Sequence, residues 1–312
     1  MDKDSKIYVA GHRGMVGSSI VRRLYENGYD KVIVRTSAEL DLRNQSEVDR
    51  FFERERPDYV FLAAARVGGI ASHSADPAGF LYDNAMIALN VIHAAYQTGV
   101  SKLLFVGSSC VYSKSASQPL KEVNLLAGPL EGTDEGYALA KIIGLKYCEY
   151  LHEGCDARFI SVMPCNVYGQ GDKYDVVSSH VVAGLIRKFH EAKASGASKV
   201  SVWGSGKAYR EFMYVDDLSD ACLFLMDRYD ASGFVNVGSG RDVTIAELAQ
   251  LIARIVGFKG EIEFDASMPE GMARRLLDVS KLEALGWTCS IGLEDGLRLA
   301  YGDYLEREGC LE

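Results

Sequence analysis

The chain has 312 residues, 48% hydrophobic, 10% aromatic and 25% charged, with 34 Lys and Arg against 43 Asp and Glu for a formal net charge of −9. That length and apolar content suit roughly two domains around a large core, which excludes a disordered tail, a collagen-like repeat and a small disulfide scaffold. The acidic balance gives no global positive field for nucleic acid or an anionic membrane, so an anionic ligand must be caught by local cations. Apolar runs fall far short of a bilayer span, and the charged start Met1-Asp2-Lys3-Asp4 has no signal-peptide core behind it, so a cytoplasmic protein is expected. Seven cysteines, an odd count without a Cys-x-x-Cys pair, predict free thiols rather than a disulfide framework. Cys148, His152 and Cys155 stand at helical spacing without a fourth ligand nearby, so they read as helix packing and no metal is expected.

In chain order, strands are predicted at 6–10, 31–35, 59–65, 102–107 and 158–163, alternating with helices at 15–27, 45–56, 78–97 and 135–152. This alternation predicts an α/β fold, a Rossmann-type doubly wound parallel sheet over residues 1–168. After Tyr168 the pattern loosens. Strands at 200–203 and 234–237 stand among helices at 178–193, 215–227, 244–256 and 293–306, which reads as a smaller C-terminal α/β lobe over 169–312, with some later segments returning to the first domain. No linker, low-complexity tract or internal repeat separates the halves, so they are expected to interweave around a cleft.

The first strand runs into Gly11-His12-Arg13-Gly14-Met15-Val16-Gly17. Glycines at that strand–helix turn let backbone approach a pyrophosphate and aim helix N–H groups at it, so the loop predicts a dinucleotide site. The tip of the second strand carries Arg35 and Thr36 where NAD-binding sites usually carry an acid. With Arg13, Arg35 offers guanidinium donors to a 2′-phosphate, so NADP(H) is expected; two solvated surface arginines are the alternative. The Gly-x-x-Gly-x-x-Gly spacing of the loop resembles that of the short-chain dehydrogenase/reductase superfamily, and the resemblance implies that Asp41 and Leu42 lie where the adenine ring is contacted.

Tyr137 and Lys141 are four residues apart, hence on one helix face, where the ammonium is expected to lower the phenol pKa and suit it to proton transfer. Ser108 ends the fourth strand upstream, at the carboxyl edge where such sheets bind ligands. Glycine loop, serine, tyrosine and lysine together match the extended short-chain dehydrogenase/reductase pattern. On residue type alone, Cys110 reads as a small core residue and His180 as a helix-start residue.

The blocks Ala10–Ser18, Ala63–Ile70, Gly107-Ser108-Ser109-Cys110-Val111-Tyr112, Trp203–Gly206, Arg210-Glu211-Phe212 and Leu276–Val279 give a closer resemblance, to the GDP-L-fucose synthase family of 3,5-epimerase/4-reductases. The resemblance implies a GDP-4-keto-6-deoxy-D-mannose substrate and NADPH as reductant. It implies an acid–base pair at Cys110 and His180 for inversion at C3 and C5, and protonation of O4 by Tyr137. Ser108 would hydrogen-bond the carbonyl oxygen, and Lys141 would bind the nicotinamide ribose and tune the tyrosine. Val106, Gly107, Ser109, Pro164, Asn166, Val167 and His180 match positions along the cofactor, while Lys188, Trp203, Arg210 and Arg275 match nucleotide-sugar positions. The helices at 78–97 and 135–152 resemble those through which extended members form homodimers. Departures cluster at the substrate loop: Glu135-Gly136-Tyr137 replaces Glu-Pro-Tyr, Gln170 replaces a proline, residues 171–179 lack the family's Pro/Asn/Phe pattern, and Arg275 replaces a frequent lysine. A related GDP-4-keto sugar, a deoxyheptose or dideoxyhexose, is therefore the alternative substrate. A non-catalytic NADP(H)-binding module is the alternative of a different class; such modules lose the tyrosine or lysine, and both are present.

Overall fold

The computed structural model describes residues 1–175, 179–268 and 271–307. The first half alternates strand and helix: β1 (Ile7–Ala10), α1 (Met15–Glu26), β2 (Val32–Ile33), α2 (Gln45–Glu55), β3 (Tyr59–Leu62), α3 (Ile70–Ala75), α4 (Pro77–Gln97), β4 (Lys102–Val106), α5 (Glu135–Cys155) and β5 (Phe159–Pro164). Local chemistry sets the helix starts. Asn44 accepts the Glu47 N–H ahead of α2, and Asp76 caps α4, whose first residue is Pro77. β1, β4 and β5 are buried along their whole lengths, as strands covered on both faces are.

The second half comprises β6 (Asn166–Tyr168), α6 (Val181–Ser195), β7 (Lys199–Trp203), β8 (Tyr209–Tyr214), α7 (Val215–Arg228), β9 (Phe234–Val237), β10 (Asp242–Thr244), α8 (Ile245–Val256), β11 (Glu261–Asp265), β12 (Arg274–Arg275), α9 (Ser280–Ala284) and α10 (Leu293–Arg307). The main sheet is parallel with order β2-β1-β3-β4-β5-β9. The chain leaves β1 for β2 on one side and crosses back to β3 on the other, so the order reverses between β1 and β3, where such sheets open a ligand crevice. The strand at 234–237, expected among the second-lobe elements, is instead the sixth strand of this sheet. Its buried Phe-Val-Asn-Val run pairs with β5 from Ser161 to Pro164.

Two hydrophobic clusters organise the interior. One joins the main sheet to α1, α2, α4, α5 and α7; the other gathers Tyr168, Tyr174, the apolar faces of α6 and α8, Phe212, Tyr214 and α10. Beside the second cluster stands a small sheet in which β8 pairs with β6, β10 and β12, and a separate β7–β11 pair. β6, β8, β10, β11 and β12 were not predicted, because strands of two to six residues carry too little alternation to read. The helix expected at 178–193 runs from Val181, and residue 178 lies outside the described residues. Among the described residues no helix is long and apolar enough to cross a membrane.

Candidate active site

The glycine loop closes at the reversal between β1 and β3. Gly11 adopts a φ of +88°, and a side chain there would meet the Ala64 backbone at 2.7 Å. A Cβ at Gly17 would collide with the Gly11 carbonyl, so both positions require glycine. Gly14 begins α1 with no side-chain cap and no acid in the first turn, leaving the N–H groups of Met15, Val16 and Gly17 facing outward from the helix start. A dinucleotide pyrophosphate fits that cradle, since it needs close backbone approach and unpaired N–H donors.

Around the expected 2′-phosphate position, Arg13 is exposed and has no ion-pair partner among the described residues. Arg35 is already engaged: it donates to Glu55 at 2.8 Å and to the Val34 carbonyl at 2.7 Å, above the Phe51 ring. The Thr36 N–H donates to Glu39 at 2.7 Å. Asp41 is clasped by Arg43 at 2.9 and 3.0 Å, and the Leu42 carbonyl accepts from Asn90 at 3.0 Å.

β4 ends at Val106, whose carbonyl accepts a 2.8 Å hydrogen bond from the buried Lys141 ammonium. A Cβ at Gly107 would run into the Met163 side chain and come within 2.9 Å of the Val162 carbonyl, so glycine lets the end of β4 pass close to β5. Ser108 then caps the 3-10 turn Ser109–Val111, accepting the Cys110 N–H at 3.4 Å. These turns bring Ser108, Cys110, Tyr137 and Lys141 together. Hydrogen bonding from Ser108 pulls both the Tyr137 phenol and the Cys110 thiol down, but burial outweighs it in each case.

One expectation is reversed. Tyr137 is raised above the usual phenol range, first by desolvation and then by Cys110 and Asp134, and Lys141 does not offset this. Lys141 lies 5.6 Å from the Tyr137 ring centroid and is itself pushed down to about 8 by burial. Cys110, 3% exposed, is pushed up to about 12 by burial, with Arg275 and Lys141 among the groups acting the other way. Without charge from a ligand, the pocket favours neutral groups.

His180 stands at the N-cap position of α6 without a capping hydrogen bond from its side chain, which is 46% exposed, and its Nδ1 lies 3.7 Å from an oxygen of the buried Asp172. His73, in the short helix α3, was not singled out from sequence. Its ring lies 5.1 Å from that of Tyr137 and 4.3 Å from that of Phe80, and it feels the charge of His180. Asp134, also missed, is mostly buried and raised by desolvation, with Arg275 pulling it back. Only the three-dimensional neighbours distinguish either residue from an ordinary surface polar group.

Pro164 ends β5, and Asn166 opens β6 by donating to the Glu211 carbonyl at 2.8 Å; Val167 packs between the two hydrophobic clusters. Lys188 donates to the Ser201 carbonyl at 3.2 Å and sits 5.7 Å over the half-exposed Trp203 ring. Arg210 and Arg275 are register partners on β8 and β12, and Arg275 reaches the electrostatic surroundings of Cys110 and Asp134. The four expected nucleotide-sugar residues therefore form two pairs.

Residues 7–238 match the family model described as the NAD dependent epimerase/dehydratase family. The chain is 52% identical to GDP-L-fucose synthase 1 of Arabidopsis thaliana, covering 98% of this chain and 94% of that protein. Identity to the GDP-L-fucose synthase of Escherichia coli K12 is 48%, over 97% of each chain. Among solved structures, a GDP-mannoheptose C4 reductase from Campylobacter jejuni with NADP bound superposes with a TM-score of 0.90 at 38% identity, covering 97% of this chain and 99% of that one.

Proposed function

The chain belongs to the NAD dependent epimerase/dehydratase family, and from its end-to-end similarity to GDP-L-fucose synthases we infer that it converts GDP-4-keto-6-deoxy-D-mannose to GDP-L-fucose. The observation that carries the chemistry is the meeting of Ser108, Cys110, Tyr137 and Lys141 at the carboxyl end of β4. That group suits a ketone that must first lose and regain protons beside its carbonyl and then be reduced.

We read NADP(H) as the cofactor, held by the Gly11–Gly17 cradle, with Arg13 and Arg35 toward the 2′-phosphate and Lys141 at the nicotinamide ribose. When bound, NADPH supplies a hydride for C4. A hydrogen on C3 or C5 is acidic because the electron pair left behind enters the carbonyl as an enolate. Ser108 donates a hydrogen bond to the carbonyl oxygen and stabilises that charge. Cys110 and His180 exchange protons with the carbon from opposite faces, so removal on one and return on the other inverts the centre. Burial keeps Cys110 a thiol, and Lys141 and Arg275 supply the positive field that lets it give up its proton. Tyr137 then protonates O4 as the carbonyl is reduced.

The two long helices support a homodimer. Tyr82 and Leu89 on α4, and Leu139, Ile143 and Tyr150 on α5, are exposed at helical spacing, which leaves an apolar stripe for a second copy. Six free cysteines among the described residues fit a reducing compartment, the cytoplasm.

Product identification by NMR after incubation with NADPH and GDP-4-keto-6-deoxy-D-mannose tests the assignment. In D₂O without reductant, deuterium should enter C3 and C5, and Cys110→Ser should suppress that exchange by about a hundredfold. Reduction without deuterium at either carbon leaves a plain 4-reductase, and turnover of only a GDP-4-keto heptose moves the assignment to that sugar.

A further inference from the structure

Six buried side-chain polar atoms among the described residues lack a hydrogen-bond partner, and one of them, His73 Nε2, belongs to a ring that lies tilted beside the Tyr137 phenol. The local sequence explains how an imidazole comes to be there. Gly68 and Gly69 turn the chain after β3 so tightly that a Cβ at Gly68 would meet the Ser72 side chain at 2.8 Å. The turn opens α3, where the His73 N–H donates to the Gly69 carbonyl at 3.1 Å. His73 is then wedged between Phe80 and Tyr137 and is 8% exposed.

A buried imidazole nitrogen without a partner forfeits the hydrogen bond it would make in water. The groups facing it leave it uncharged. Desolvation, with the charges of His180 and Arg66, pushes it down to about 4. A neutral ring does not serve a diphosphate, which recruits cations. The unpaired Nε2 of a neutral ring donates in one tautomer and accepts in the other, and in either it suits a hydroxyl, which can both give and accept. Tyr137 is the group assigned to O4, so the ring beside it lies next to the carbons flanking C4. In a 4-keto-6-deoxyhexose, C5 bears only the ring oxygen and the methyl carbon, which leaves the hydroxyl on C3.

We propose that His73 hydrogen-bonds the C3 hydroxyl of the bound keto sugar and thereby selects sugars oxygenated at that carbon, a proposal that rests on the 4-keto sugar reading above. His73→Phe keeps the ring between Phe80 and Tyr137 and removes both nitrogens. Its kcat/KM for GDP-4-keto-6-deoxy-D-mannose should fall about tenfold or more, with NADPH affinity and melting temperature unchanged. On the 3-deoxy analogue, GDP-4-keto-3,6-dideoxy-D-mannose, wild type and variant should agree within about threefold, because neither has a hydroxyl to bind. His73→Asn, which restores donor and acceptor, should recover part of the loss on the hydroxylated sugar. Equal losses on both sugars, or none on either, overturn the proposal. Wild-type protein that forms no GDP-L-fucose from the hydroxylated sugar would instead remove the underlying reading. Should the Phe variant fail to fold, ¹⁵N NMR of the wild-type histidine rings decides. The His73 resonances should move on adding GDP-L-fucose but not GDP, and an unmoved ring overturns the assignment.

Discussion

The proposed site has two walls built in different ways. On the wall proposed to hold the cofactor, the groups sit at the ends of β1 and β4 or on the helix that follows, and neighbouring backbone fixes them: Gly11 against Ala64, Lys141 on the Val106 carbonyl, Ser108 under the Cys110 N–H. On the wall proposed to hold the substrate, groups far apart in sequence hold one another. Glu211 on β8 accepts the N–H groups of Gly240 at 2.7 Å and Leu277 at 2.9 Å, and Arg275 lies beside Arg210 on a two-residue strand. The first wall is a feature of one repeated strand–helix unit; the second exists only once the whole chain has folded. Substitutions on the first wall should therefore strike chemistry with little loss of fold, and those on the second should strike the fold first.

Tyr137→Phe is the strongest challenge to that contrast. The ring and its packing on His73 survive, and only the proton is lost. Net reduction should fall about a hundredfold or more, the contribution of a positioned general acid. NADPH binding by fluorescence, the melting temperature and deuterium exchange at C3 and C5 should all persist. A variant that melts early instead would show the cofactor wall to be as interdependent as the other.

Arg35→Ala probes the same wall at the proposed 2′-phosphate position. The lost charge-assisted contact, about 1.5–3 kcal/mol, should raise the KM for NADPH roughly tenfold to a hundredfold and leave that for NADH nearly unchanged. Because Glu55 already holds Arg35, the loss should lie toward the lower end of that range. Equal changes for both cofactors would place the 2′-phosphate elsewhere.

The same contrast explains what could be read in the sequence. The five leading strands, their helices and the meeting of Ser108, Tyr137 and Lys141 were legible because strand ends and helical spacing are local properties. β8 was not legible, since Tyr-Arg-Glu-Phe-Met-Tyr mixes a buried acid with aromatics and becomes a strand only between three partners. β9 was legible as a strand but not as a member of the main sheet, because nothing within Phe-Val-Asn-Val specifies β5 as its neighbour. The direction of the Tyr137 shift was missed for a related reason: spacing reveals the lysine, but only the packed structure reveals the burial that opposes it. His73 has no sequence signal beyond the two glycines before it.

The smallest effect on turnover, and the clearest sign of the second wall's construction, should come from Glu211→Gln. Glu211 is fully buried, and desolvation pushes it up to about 7 against the backbone N–H groups that pull it down. Between about pH 4.5 and 7 the folded chain therefore holds a proton that the unfolded chain has released, and this group's contribution to stability falls as pH rises, by something on the order of 3 kcal/mol. His73 runs the opposite way. Its lowered pKa means that between about pH 4 and 6.5 the unfolded chain holds the extra proton, so its contribution rises with pH. In the wild type the two slopes oppose one another over most of that range, and only the Glu211 decline remains toward pH 7. Glu211→Gln removes the falling slope. It also turns an amide NH₂ toward one of the N–H groups that the carboxylate accepted, which should cost about 1–3 kcal/mol at low pH. Urea unfolding from pH 4 to 8 should show the variant less stable than wild type at pH 4 and gaining on it as pH rises. A variant whose profile runs parallel to wild type would mean that Glu211 does not change protonation on folding, and that its hydrogen bonds to Gly240 and Leu277 hold the carboxylate charged at every pH in the range.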